Sequence, residues 1–341
     1  MTQSAELLRI ALINKIERTT AVLEGRRPDR PPVSFWYHFG PGAVAGPPAV
    51  EAHVRHVETY DLDFLKVMDD NRYPRTATPN GVIAEVGDLA GLSVLEGDEE
   101  TFGRQLELVD ELARRYRGQL PVATTIFSPW AALRQMTVPD TGEHLPPTVR
   151  SSSSPRDAAM SRFLEQAPEA LAEALRVIAE SLANFARHCV TAGADGIFLS
   201  VRDDWEGLPQ GGDTYDRLVQ PGDLEILAGA ENGRFNLLHI CGRARRFDRF
   251  ASYPVHGINW ADRYAGPPIA KVAPSLGPAI CAGVDNLGTM VTGSPGDCAA
   301  EVADALDQAA GRPMMVAPGC TFDPHAVPSE NLHAIRRAVD A

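Results

Sequence analysis

The sequence predicts a single-domain α/β protein over residues 1–341, a (β/α)8 TIM barrel with an N-terminal helix. Three observations lead to this prediction. Short apolar runs alternate with helical segments along the chain, the runs number about eight, and nearly every run ends in polar or reactive side chains. A chain of 341 residues is long enough for one closed barrel core.

The predicted strands are runs rich in Val, Ile, Leu and Phe, and the segments between them favour helices. Alternating strands and helices imply parallel strands joined by right-handed crossovers. The runs are Pro32–Trp36, Phe64–Met68, Val122–Phe127, Gly196–Val201, Phe235–Ile240, Val255–Trp260, Ala279–Val284 and Met314–Ala317; the helix candidates are Ser4–Leu23, Glu100–Tyr116, Ala167–Ala192, Pro221–Ala230, Pro295–Ala310 and Ser329–Val339.

Polar side chains cluster where these runs end. The carboxyl ends of barrel strands converge on one mouth, so such side chains would line a single polar pocket above an apolar core. In chain order they are Tyr37, His38, Asp69, Asp70, Ser128, Trp130, Arg202, Asp203, Asp204, His239, Cys241, Trp260, Asp262, Arg263, Asp285 and Cys320.

One segment, Pro139–Pro155, breaks the alternation because it is rich in Pro, Ser and Thr and poor in apolar residues. It is interpreted as a mobile βα loop on the active face and a candidate lid, or as an insertion without function.

Charge and cysteine content exclude several classes of protein. The formal net charge of -13 and pI near 5.2 argue against binding to nucleic acid or to an anionic membrane surface. Charged residues interrupt the N-terminal apolar residues, so neither a secretory signal nor a membrane span is predicted, and a cytoplasmic location is expected. Five cysteines, an odd number, fit a reducing compartment better than a disulfide framework.

A candidate metal site comes from the pattern His-x-Cys with a distant Cys. His239 and Cys241 are two residues apart on a predicted strand, so both side chains point to the same side, and Cys320 would join them across the mouth. Zn²⁺ binds imidazole and thiolate readily, and three protein ligands leave a position open for a substrate. Core packing of the His-x-Cys pair is the alternative. His38 and His325 are further candidate ligands or acid–base groups.

Several segments, in their order, resemble the uroporphyrinogen decarboxylase superfamily. The resemblance implies a barrel whose active site lies at the carboxyl ends of the strands, and it maps the family's essential aspartate onto Asp69. The segments are RRPDRPPVSF, DFLKVMDD, PVATTIFSPW, GADGIF, FNLLHICG, VHGINWADR and APGCTFDPHAVPSENL.

Two departures from that family bear on the substrate. The decarboxylases carry an Arg-Gln-Ala-Gly-Arg motif after the first strand, where this chain has Trp36-Tyr37-His38-Phe39-Gly40. Loss of the guanidinium groups removes the bidentate partners of an anionic tetrapyrrole and indicates a smaller, less acidic substrate. The family's late histidine is replaced by Cys320.

The His-x-Cys pattern with Cys320 is similar to the zinc site of the corrinoid-dependent coenzyme M methyltransferases of the same superfamily. This resemblance implies Zn²⁺ bound by His239, Cys241 and Cys320, and a transferase that moves a methyl or alkyl group onto a small thiol. It also suggests a methyl-corrinoid donor on a partner protein, and a homodimer.

Two other functions stay open. One is a metal-free decarboxylase or lyase, in which Asp69, with His38 or Arg202, stabilises charge on a small carboxylated substrate; the other is a non-catalytic protein that binds a corrinoid partner. The predicted substrate contacts, for which packing, helix capping or surface ion pairing is the alternative role, are Trp36, Tyr37, Asp204, Tyr215, Trp260, Arg263 and Asp285.

Overall fold

A curled, all-parallel sheet forms the centre of the molecule. The computed structural model describes residues 13–75, 78, 81–139, 154–205, 208 and 213–340. Within them the sheet has seven strands in the order β1-β2-β3-β4-β5-β6-β7, and each strand pairs in parallel with the next. The strands are β1 (Leu65–Val67), β2 (Val122–Phe127), β3 (Gly196–Val201), β4 (Leu237–Ile240), β5 (Gly257–Trp260), β6 (Ala279–Val284) and β7 (Met314–Pro318).

Helices connect successive strands, as expected for parallel pairing. The α1 helix begins with a capping box in which Asn14 and Glu17 satisfy each other's backbone N–H groups. The helices are α1 (Lys15–Leu23), α2 (Gly46–Tyr60), α3 (Glu100–Tyr116), α4 (Pro129–Met136), α5 (Pro155–Gln166), α6 (Pro168–Thr191), α7 (Thr214–Leu218), α8 (Gln220–Gly229), α9 (Phe247–Phe250), α10 (Ile269–Val272), α11 (Thr289–Thr292), α12 (Pro295–Gln308) and α13 (Ser329–Ala338).

Side chains alternate between the two faces of the sheet. One buried cluster, which we call the concave core, joins residues from strands that are far apart in the sheet, including Phe198, Leu237, Cys281 and Met315. These residues can share one cluster only because the sheet curls around them. The intervening strand residues pack against the helices in two larger cores, where Cys189 and Cys298 lie buried.

The first predicted strand, Pro32–Trp36, makes only an isolated parallel bridge between Val33 and Val316 of β7. On its other side, Asp63 N donates to Val33 O at 2.9 Å and Ser34 Oγ donates to Phe64 O at 2.7 Å. The segment therefore lies between β7 and the start of β1. Pro31 and Pro32 lack the N–H groups that a ladder requires, so the sheet has seven strands where eight were predicted.

Two predicted segments fall partly outside the described residues. Residues 140–153 of the predicted lid lie outside the described residues, and Pro155 at the end of that segment begins α5. Residues 4–12 of the first predicted helix also lie outside them, and its described part is helical from Lys15 to Leu23. Among the described helices, none combines the length and the apolar character needed to cross a membrane.

Candidate metal centre

Three side chains that can bind a metal ion meet at the carboxyl end of the sheet. His239 lies on the concave side of β4, Cys241 directly follows that strand, and Cys320 lies two residues after β7. Their ligand atoms all lie within 4.8 Å of one another. Three steps separate β4 from β7 in the sheet, which would be about 14 Å if the sheet were flat. The curl of the sheet therefore assembles the group, as the sequence predicted for a barrel mouth.

The His239 imidazole is held in one orientation by Asn259 of β5. The Nδ1 atom of His239 lies 2.6 Å from Asn259 Oδ1. Asn259 donates its two amide N–H groups to Cys281 O at 2.7 Å and to Pro318 O at 3.0 Å. Its Oδ1 must therefore accept a hydrogen bond from Nδ1–H, because a flipped amide would set its oxygen against two carbonyls. That tautomer leaves the Nε2 lone pair of His239 free for a metal ion.

Replacing Asn259 with Leu is therefore expected to lower zinc affinity by about 10–100-fold, the usual effect of losing such a supporting hydrogen bond. Isothermal titration with zinc measures the change. Asn331→Leu is the matched control, because Asn331 is also buried and donates to two backbone carbonyls, Met290 O and Gly293 O, in a remote part of the fold. Equal zinc affinities in the two variants would refute the role of Asn259.

The loop after β4 is fixed by the carboxylates of Asp203 and Asp204. Asp204 accepts from Arg243 N at 3.0 Å, and Asp203 accepts from the backbone N–H groups of Arg245 and Arg246 at 3.0 and 2.9 Å. Gly242 lies between Cys241 and this loop with φ of 77°, where a Cβ atom would come within 2.5 Å of the Asp204 carboxylate. Only glycine fits there, so Asp204 positions the chain beside a candidate ligand.

The Cys320 loop is fixed by a close backbone approach. A Cβ atom on Gly319 would lie 2.7 Å from Ala261 Cα. Asn286 donates to Thr321 O at 2.8 Å and accepts from the Tyr264 hydroxyl at 2.9 Å. Loops after β5, β6 and β7 are thereby joined around the thiol, an arrangement that the sequence did not reveal.

The hydrogen bond between Cys241 and Cys320 shifts their pKa values in opposite directions. The bond from Cys241 lowers the pKa of Cys320 to about 7, despite its burial. The same bond, together with burial, raises the pKa of Cys241 well above its usual value. A Cys320 thiolate that accepts a hydrogen bond from the Cys241 thiol explains why the two pKa values shift in opposite directions. A metal ion bound to both sulfurs would take the place of the proton between them.

Two cations lie close to the cysteines. Burial opposes the charge of Arg202, but Cys241 and Asp204 outweigh it and raise the pKa of the guanidinium. Lys66, in the middle of β1, is 5% exposed. Burial lowers its pKa to about 8 against the attraction of Cys320. Sequence reasoning missed Lys66, although a single lysine within the apolar run Phe64–Met68 was the available signal.

The adjacent aspartates have different surroundings. Asp70 Oδ1 lies 2.6 Å from His38 Nδ1, and strand alternation places Asp70 on the same face as Lys66. Asp69 Oδ1 accepts from the backbone N–H groups of Asn71 and Arg72 at 3.2 and 3.3 Å. Burial, with the neighbouring Asp70, raises the pKa of Asp69 to about 7. These contacts favour Asp70 with His38, rather than Asp69, as the pair that faces the mouth.

Among the predicted aromatic contacts, Trp36 belongs to the concave core and packs edge-on against Phe198 at 5.2 Å. Tyr37 points the other way, into a cluster of rings that includes His56 and Phe322. His325 is exposed and lies outside the metal-binding group.

Three predicted substrate contacts have structural partners instead. Trp260 is fully buried in the helix-facing core and donates to Pro267 O at 2.8 Å. Arg263 donates to Gly283 O at 3.0 Å and also bonds to α12. Asp285 Oδ1 accepts from Leu287 N and Gly288 N, which closes a turn. Trp260 is the last residue of β5 and the other two follow strands, but none belongs to the concave core.

Tyr215, a fourth predicted substrate contact, is buried and belongs to a small hydrogen-bonded cluster with Tyr253 and Asp223. Its hydroxyl and that of Tyr253 both donate to Asp223 Oδ2, at 2.8 and 2.9 Å. Asp223 Oδ1 is buried and has no hydrogen-bond partner among the described residues. Burial raises the pKa of Asp223 to about 7, although both hydroxyls oppose the shift.

The raised pKa of Asp223 predicts a pH-dependent stability. Between pH 4 and 7 the unfolded aspartate has lost its proton while the native one retains it, so the free energy of unfolding falls as pH rises. Asp223→Asn should abolish this contribution, which amounts to about 1.4 kcal/mol per pKa unit. Urea denaturation of both proteins at pH 4, 5.5 and 8 tests this; a constant difference between them would contradict it.

Comparisons with known proteins reveal the family and the fold to which this chain is similar. The model of the uroporphyrinogen decarboxylase (URO-D) family matches residues 65–341, and comparison with curated proteins finds no match. A methyltransferase from Methanosarcina mazei has a TM-score of 0.71 and 18% identity, covering 96% of this chain and 98% of that chain. A B12-independent methionine synthase from Shewanella sp. W3-18-1, in complex with selenomethionine, has a TM-score of 0.46 and 14% identity, covering 69% and 65%.

The first of these structures shows that the fold is shared over nearly the whole length of both chains. The family model extends from β1 to the last residue, which is well over half of the sequence. The chain therefore belongs to the uroporphyrinogen decarboxylase family.

Proposed function

We propose that the protein is a zinc-dependent transferase that moves a methyl or other alkyl group onto a small thiol. The observation that carries this proposal is the convergence of the His239, Cys241 and Cys320 ligand atoms within 4.8 Å. One imidazole and two thiolates are a donor set that zinc prefers, and three protein ligands are typical of a catalytic site with an open position. The free Nε2 of His239 supports the fit.

The residues around the group suit a reaction of a thiol. Zinc in this position would bind the substrate sulfur and keep it as a nucleophilic thiolate. Asn259 orients His239, and Phe198 stacks on the His239 ring and packs against Trp36, so apolar surface adjoins the group, which suits a small substrate. The thiol proton goes to solvent, the S–C bond forms, and the donor departs with the electron pair of its bond to the alkyl carbon.

The donor and the closed architecture are part of the same proposal. A methyl-corrinoid carried by a partner protein is the proposed donor, and a homodimer is proposed with it. Val33 and Ser34 form backbone and side-chain contacts to both β7 and the start of β1. These contacts support Pro32–Trp36 as the segment that occupies the eighth strand position of a closed barrel.

Metal analysis and a methylation assay test the proposal together. We expect about one zinc per chain after purification without chelator, and methylation of 2-mercaptoethanol by methylcobalamin, followed by mass spectrometry. A chelator should stop the reaction and added zinc should restore it. A protein that binds no zinc and methylates no thiol would refute the proposal.

A metal-free decarboxylase is the second candidate, favoured by the raised pKa of Asp69 and by the Asp70–His38 pair. Such an enzyme would release CO₂ from a small carboxylic acid in the presence of a chelator, and its activity would survive Cys241→Ser. Activity that requires zinc and is lost in Cys241→Ser excludes it.

A further inference from the structure

The ammonium group of Lys66 is buried without a carboxylate hydrogen-bond partner among the described residues. Its Nζ atom donates to Met68 Sδ at 3.1 Å and lies 4.8 Å from the ring centre of Phe198 and 5.8 Å from that of Trp36. A thioether is a weak acceptor, and aromatic faces offset only part of the cost of burying a charge. The contacts made in the fold therefore leave this cation incompletely stabilised.

The nearby anions are engaged elsewhere or belong to the metal centre. Asp70 pairs with His38, and Asp69 accepts from two backbone N–H groups. Among the ionisable neighbours of Lys66, Cys320 has the strongest electrostatic interaction with it. The ammonium lies over the Phe198 ring, and that ring stacks on the His239 imidazole with ring centres 5.5 Å apart, so Lys66 is on the concave side next to the candidate ligands.

We propose that Lys66 stabilises the negative charge of a thiolate bound as the fourth ligand, and so selects an anionic ligand over a neutral one. This inference rests on the proposed function. Zinc with two cysteinates is formally neutral, and a bound thiolate adds one negative charge while water or imidazole adds none. Between Trp36 and Phe198, where water is largely excluded, a nearby cation has a large effect on that difference.

Lys66→Met is the informative variant, because methionine has nearly the shape of lysine and lacks its charge. Replacement of a buried charge by an apolar side chain of similar volume is neutral or stabilising, so the variant should fold. Met68→Leu is the matched control: it removes the thioether acceptor on the same face and keeps the ammonium.

Cobalt-loaded protein provides a readout that does not depend on turnover. At pH 7, 2-mercaptoethanol is titrated and the sulfur-to-cobalt absorption is followed; the Co–S bond displaces water and the thiol proton passes to the buffer. We expect Lys66→Met to weaken thiol binding at least about tenfold. Its affinity for imidazole should stay within about twofold of wild type, because replacing bound water with imidazole leaves the net charge of the site unchanged.

Four results would overturn the inference. An unchanged thiol affinity in Lys66→Met would contradict the inference directly. An equal loss of affinity for thiol and for imidazole would indicate general damage to the site. Weakening seen with 3-mercaptopropionate but not with 2-mercaptoethanol means that Lys66 binds a carboxylate of the substrate instead. A wild-type protein that binds no cobalt refutes the proposed function and this inference together, whereas the first three outcomes refute only the inference.

Discussion

Cys320→Ala is expected to yield a folded protein that retains no zinc and transfers no methyl group. Cys320 is the candidate ligand from beyond β7, and without it only His239 and Cys241, from the end of β4 and just after it, are left as a two-ligand site. The loss of zinc affinity should exceed the 10–100-fold typical of losing a supporting hydrogen bond, because a direct metal–sulfur bond is removed. Metal content by atomic emission and the methylation of 2-mercaptoethanol measure both effects.

Cys298→Ala is the control for this experiment. Cys298 is also buried, but it lies in α12 with its thiol 3.5 Å from Thr289 O, remote from the metal-binding group. It should keep its zinc and its activity. Full zinc occupancy in Cys320→Ala, or loss of zinc in Cys298→Ala, would contradict the assignment of the ligands.

Asp63→Ala is expected to lower the free energy of unfolding by about 3–5 kcal/mol, because it leaves buried guanidinium groups without part of their counter-charge. The Asp63 carboxylate is fully buried and accepts four hydrogen bonds, from Arg18 at 2.8 Å, from Arg30 at 2.7 and 3.0 Å and from Val33 N at 2.9 Å. It therefore joins α1, the Pro32–Trp36 segment and the start of β1. Urea denaturation followed by circular dichroism measures the loss.

Asp61→Ala is the matched control two residues away. Asp61 forms ion pairs with Lys15 and Arg336, but its side chain is 57% exposed. Exposed pairs contribute about 0–1 kcal/mol, so this variant should be nearly as stable as wild type. A similar loss in both variants would show that burial of Asp63 does not set its contribution.

The strands were well predicted because buried parallel strands are apolar throughout. The predicted runs Val122–Phe127, Gly196–Val201 and Ala279–Val284 coincide with β2, β3 and β6. The α/β class and the parallel arrangement are thus confirmed, whereas closure by an eighth strand stays a prediction. The first run was apolar enough to be a strand, but its prolines reduced it to a single bridge.

The helices that sequence reasoning missed lack a distinct signal. In α2 and α4 several of the buried positions are His, Pro, Ala or Arg rather than large aliphatic residues. Such residues do not stand out in the sequence as an apolar stripe, although they are buried in the fold by tertiary contacts.

The candidate site shows what spacing along a strand can and cannot predict. The i, i+2 spacing of His239 and Cys241 was sufficient to place both side chains on one face. For Trp260, Arg263 and Asp285, proximity to a strand end did not reveal the direction of the side chain, which depends on register and on the following turn. Asn259 and Tyr264 could not be recognised, because their roles depend on partners that are distant in sequence.

The placement of Cys320 has a consequence for biosynthesis. His239 and Cys241 leave the ribosome about eighty residues before Cys320. The complete ligand set cannot exist while the nascent polypeptide is still being extended through β7. A metal ion bound by all three side chains would consequently be acquired only after β7 and Cys320 have been synthesised.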